Sequence, residues 1–91
     1  MEEPLTIARL RAARALAEVD QKALAEASKV SLSTIARFES GKGRAQLSAL
    51  HESAIRRALE DFGIVFLPEG EVVGGVALKN GVAQRMRGKR K

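Results

Sequence analysis

Leu32, Ser33 and Arg37 lie within six residues of one another and carry the side chains best suited to touching another macromolecule. With Ile35 at zero and 100° per residue, Ser31, Ile35 and Phe38 cluster on one side of a helix, and Ser33, Ala36, Arg37 and Ser40 cluster opposite. The first side is suited to a core. The second is small or basic, so its backbone can approach closely into a groove about 12 Å wide, the width of the major groove of duplex DNA. Arg37 can pair bidentately with a guanine edge, Ser33 can exchange a hydrogen bond with a base or phosphate, and Leu32 can meet a thymine methyl. On these residues alone, an ordinary solvated helix face remains an alternative.

Other chemistries find little support. Cysteine is absent, which removes disulfides and thiolate metal sites. His51 is the only histidine and cannot build a metal site by itself. It falls on the polar side of its segment beside Glu52, where a lone histidine is more often a surface residue than a catalyst. Gly74-Gly75 lacks the following lysine and helix of a phosphate-binding loop. Neither an enzyme nor a cofactor is expected.

Charge narrows the field further. The formal net charge is +5. From Arg85 onward come Arg85, Arg87, Lys89, Arg90 and Lys91 with no acid; setting those five aside leaves 11 basic residues against 11 acidic ones. From Ser28 to His51, Lys29, Arg37, Lys42 and Arg44 face only Glu39. A neutral body with one basic segment and a basic tail suits a polyanion. The tail is either an arm lying along phosphates or an unrestrained terminus, and both readings stay open.

The elements that must position these groups are mostly helical. Leu5 to Ala17 is rich in Ala, Leu and Arg, with Leu10, Ala13 and Ala17 on one face. Asp20 can cap a second helix through about Ser28, with Leu24 and Ala25 inward. Ser31 can cap a third through about Glu39, ended by Gly41 and Gly43. A fourth runs from about Gln46 to Phe62, with Leu47, Leu50, Ala54 and Ala58 as its apolar stripe and Ile55, Leu59 and Phe62 widening it. Beyond Gly63 the texture changes. Ile64 to Leu67, closed by Pro68-Glu69-Gly70, and Val72 to Lys79, broken by Gly74-Gly75, read as two strands. Both faces of the first are apolar, so the hairpin needs a second surface from the long helix, another subunit, or both.

Two short helices joined by a tight turn, with a helix on either side, form a helix-turn-helix arrangement. Over residues 10–41, Arg14, Gln21, Leu24-Ala25, Val30-Ser31, Thr34-Ile35 and Phe38-Glu39-Ser40-Gly41 resemble the repressor/Cro-type (XRE) family of transcriptional regulators without a gap. The segment Ile55 to Glu60 followed by Gly63 to Phe66 resembles small bacterial members that end in a short β segment. The resemblance implies phosphate contacts from Gln21, Ser31, Ser40, Lys42 and Arg44. It also implies an ion pair between Arg14 and Glu39 that ties helix one to the end of helix three. Lys29 stands where the family usually has glycine in a left-handed turn, at a cost of about 1 kcal/mol.

The resulting expectation is a mainly α protein: a four- to five-helix repressor-like DNA-binding domain over residues 1–63, a β-hairpin over 64–81 and a basic tail over 82–91. Ile64, Phe66 and Val76 are expected at a dimer interface. The expected function is sequence-specific binding of double-stranded DNA by a cytoplasmic homodimeric repressor on an inverted repeat. A protein-interaction module on the same scaffold is the competing reading, and a protein partner is compatible with either. No apolar run approaches the roughly 20 residues of a membrane span, so no membrane association is expected.

Overall fold

Each helix begins where a short polar side chain can accept a hydrogen bond from a backbone N–H left free by the first turn. In the computed structural model, which describes residues 5–41, 46–67 and 75–78, Thr6 caps α1 (Ile7–Ala17) through the Arg9 N–H at 3.0 Å. Asp20 caps α2 (Gln21–Ser28) through Ala23 at 2.7 Å. Ser31 caps α3 (Leu32–Ser40) through Thr34 at 3.2 Å. Ser48 caps α4 (Ala49–Asp61) through His51 at 3.0 Å, so this helix starts three residues later than its apolar pattern predicts.

Left-handed residues end the first three helices: Glu18 at φ +61°, Lys29 at φ +65° and Gly41 at φ +74°. Lys29 thus adopts the glycine-like turn conformation with a full side chain. After α4 the chain reverses at Gly63, at φ +100°, into β1 (Ile64–Phe66). β1 pairs antiparallel with β2 (Val76–Leu78), with Ile64 opposite Leu78 and Phe66 opposite Val76.

Four helices surround a core whose largest fully buried side chains are Leu10, Leu24, Ile35, Ile55, Leu59 and Ile64. The stripe on α4 differs from the one the sequence suggests. Ile55, Arg56, Ala58 and Leu59 are buried, whereas Leu50 is 78% exposed. At 100° per residue Leu50 lies about 140° around the helix from Ile55. The side of α4 that meets α2, α1 and β1 is centred on Ile55 and Leu59, and Leu50 falls outside that arc.

The hairpin obeys the period of two that a four-residue apolar run conceals. Ile64, Phe66, Val76 and Leu78 share the face that packs on the protomer's own core. Val65, Leu67 and Ala77 alternate to the other face. The three residues expected at a subunit interface therefore point into their own domain, and Ile64, 1% exposed, has no surface to offer a partner. Two arginines hold this inner face. Arg9, 2% exposed, donates from Nη2 to the Leu67 and Gly75 carbonyls, bridging the facing ends of the two strands. The Arg9 and Arg56 guanidiniums lie over the Phe66 ring, 5.5 and 4.6 Å from its centroid. Among the described residues, no helix is long and apolar enough to cross a membrane.

Candidate nucleic-acid interface

The position of α3 is set from its buried side. Ile35 is fully buried and Phe38 nearly so, and Glu39 at the end of the helix is 8% exposed. A buried carboxylate needs partners, and Glu39 has two. Arg14 grips it bidentately, Nε to Oε2 at 2.7 Å and Nη2 to Oε1 at 2.8 Å, while its Nη1 donates to the Val19 carbonyl at 3.1 Å. Gln21 donates from Nε2 to Oε1 at 3.1 Å. Burial pushes the Glu39 carboxyl up, but hydrogen bonds from Arg14 and Gln21, with the charges of Arg14 and Arg11, outweigh it and hold the group below the ordinary carboxylate value. The same hydrogen bond from Arg14 to Glu39 raises the guanidinium further still. α1, α2 and α3 are thereby locked around one carboxylate.

The opposite side of α3 is bare. Leu32 is 45% exposed, and Ser33 and Arg37 are exposed with it. No hydrogen bond or ion pair engages the Arg37 guanidinium among the described residues. Ser31 is exposed but occupied locally: its Oγ caps the helix and donates to Thr34 Oγ1 at 2.8 Å. Ser40 is exposed and donates to the Arg37 carbonyl at 2.9 Å. Gln21, at the start of α2, is half-buried with one amide hydrogen committed to Glu39. Lys42 and Arg44 lie outside the described residues.

A groove of about 500 Å³ separates this bare side of α3 from the start of α4. Ser33, Thr34, Arg37 and Phe38 line one wall, and Gln46, Ser48 and His51 the other. Nothing in the sequence marks Gln46 and His51 as contact residues. A polar triad ahead of an apolar stripe reads as a helix start, and only the tertiary fold brings it to the same groove as Arg37.

α2 and α3, joined through the left-handed turn at Lys29 within a four-helix body, form a helix-turn-helix unit. The helix-turn-helix domain family matches residues 8–61, more than half of the chain, and the protein belongs to that family. Its members' fold is that of DNA-binding regulators. No curated protein matches the chain.

Proposed function

We propose that the protein is a sequence-specific transcriptional regulator of the XRE type, which docks α3 in the major groove and represses by occlusion as a homodimer on an inverted repeat. The observation that carries this reading is the bare face of α3: Leu32, Ser33 and Arg37 are exposed on a helix whose other side is locked by Ile35, Phe38 and the Arg14–Glu39 pair. Rigid presentation of a small-residue surface with one unengaged guanidinium is what direct readout requires. Arg37 is the base-reading residue, assisted by Ser33 and Leu32. Gln21, Ser31, Ser40, Lys42 and Arg44 position the phosphate backbone.

The second copy docks on the outward face of the hairpin, on Val65, Leu67 and Ala77. Among the described residues that face is apolar and carries no charge for a second copy to repel. Selection from a random duplex library followed by footprinting tests both parts. Two symmetric half-sites about one helical turn apart are expected. Arg37→Ala should lose about 10- to 100-fold in affinity for the selected site, with relaxed base preference at one position per half-site. Unchanged affinity in that variant would remove α3 from the reading role. Binding to no duplex at any salt would favour the interaction-module reading.

A further inference from the structure

α4 also has a bare side. Leu50, Ala54, Arg57 and Asp61 follow one another at helical spacing and form a stripe turned away from the core. With Ala27 in the last turn of α2, and Ala58 at the floor, this stripe lines a groove of about 350 Å³. It shares no residue with the groove beside α3. One end is apolar, where Leu50 stands 78% exposed. The other end is acidic. Glu60 and Asp61 close α4, and no basic side chain in that last turn offsets them or the negative end of the helix dipole. A single exposed leucine is ordinary on a protein surface. An apolar groove with an acidic mouth is more selective, since it suits a segment that carries apolar and basic side chains together.

We propose that the occupant is the chain's own segment 79–91, docked along α4 from Asp61 toward Leu50. These residues lie outside the described part of the structure, but the described part fixes where they set out. β2 ends at Leu78, which pairs with Ile64, three residues after Asp61. The segment therefore leaves the hairpin near the acidic end of the groove. Its reach is ample. Thirteen residues extend about 43 Å, against about 17 Å of α4 between Asp61 and Leu50. Its charges complement the groove in kind and in order. It holds six cations and no acid, with Lys79 separated from the other five by the uncharged run 80–84. Lys79 meets Glu60 and Asp61, and the uncharged run passes Arg57, where a cation would be repelled. Val82 and Met86, the large apolar side chains of the segment, cover Ala54 and Leu50. The proposal concerns α4 and the continuation of the hairpin, and it stands apart from the reading of DNA by α3.

The chain has no cysteine, so Gly88→Cys gives it a single site for a nitroxide label. In amide NMR spectra of the full chain, Ala27, Leu50 and Ala54 should lose most of their intensity, while the exposed α1 residues Ala12 and Ala15 keep theirs. Leu50→Arg removes the apolar anchor and adds a like charge at a position that is already exposed, so the fold is retained and the broadening should disappear. Met86→Ser should abolish it from the other side of the contact. Without the label, trypsin should release the segment by cutting after Arg85 about fivefold faster in Leu50→Arg than in wild type. Broadening spread evenly over the surface, or unchanged in Leu50→Arg, overturns the proposal, and so does equal cleavage of the two proteins. A mixture of nitroxide-labelled protein with unlabelled, isotope-enriched protein separates the remaining case. Broadening at Leu50 in that mixture would put the segment of one copy on the groove of another and overturn docking within the chain.

Discussion

Arg9 and Arg14 leave α1 about one and a half turns apart and are used in opposite ways. Arg14 meets a carboxylate. Its bidentate pair with Glu39 fixes where the exposed helix stands, and Arg14 itself keeps a fifth of its side chain in solvent. Arg9 is buried and finds no carboxylate among the described residues; strand-end carbonyls and the Phe66 ring surround it instead. Its Nε has no hydrogen-bond partner among the described residues. One site is a charge pair that specifies an angle between helices. The other is a cation solvated by backbone and aromatic surface, and it fastens a hairpin. A charge pair should respond to acid, while a cation held by carbonyls should not.

The largest effect is expected at Arg9. Arg9→Ala removes the donor to the Leu67 carbonyl, leaves the Gly75 carbonyl only the Leu67 N–H, and opens a cavity beside Phe66, at a cost of about 3 kcal/mol. Hydrogen exchange should show hairpin amides losing protection well before those of α3. Arg9→Met, which keeps bulk and removes charge, should recover part of that loss. Hairpin amides that remain protected in Arg9→Ala would erase the distinction between the two sites.

Glu39→Gln comes next, at about 2 kcal/mol, because Arg14 is partly solvated and can relax toward water. Its pH dependence separates it from Arg9. The folded Glu39 carboxyl titrates below its ordinary value of 4.5, so its stabilisation is complete above that value and is lost as pH falls through the folded pKa. Thermal melts from about pH 6 to about pH 3 should show wild type losing more stability than Glu39→Gln. Parallel decline of the two would mean that the pair adds nothing pH-dependent. The smallest effect belongs to Phe66→Leu, which keeps an apolar side chain and removes the ring beneath two guanidiniums. A loss of about 1 kcal/mol in denaturant unfolding is expected. No loss would mean that the arginines merely lie against the ring.

The helices were legible because their signals are local. Asp20 and Ser31 announce helix starts from a single residue, and the caps stand where the residue types put them. The glycine-like turn at Lys29 was legible only as a departure from a family pattern. Its left-handed φ shows the backbone demand winning over the side chain. The hairpin was legible as two strands but not in orientation. Ile64 to Leu67 is apolar at every position, so nothing in it says which face turns inward. Gly63 and the packing of α4 decide that, and they turn Ile64, Phe66 and Val76 toward the protomer. Leu50 misled for a related reason, since helical spacing identifies a stripe but not which of two overlapping stripes meets the core. Arg9 and His51 were hidden by type: an arginine on a polar helix reads as solvated and a single histidine reads as surface. Only tertiary placement makes one a buried fastener and the other a groove wall.

The span of the Arg9 contacts has a consequence for how the molecule assembles. Its guanidinium meets carbonyls 58 and 66 residues further along the chain. Contacts of such long range bear the greatest loop-closure cost and are rewarded only after local structure exists to hold their ends. The helices can collapse on one another before the hairpin forms. The hairpin then closes over a surface already in place, and on unfolding it should be the first part to detach.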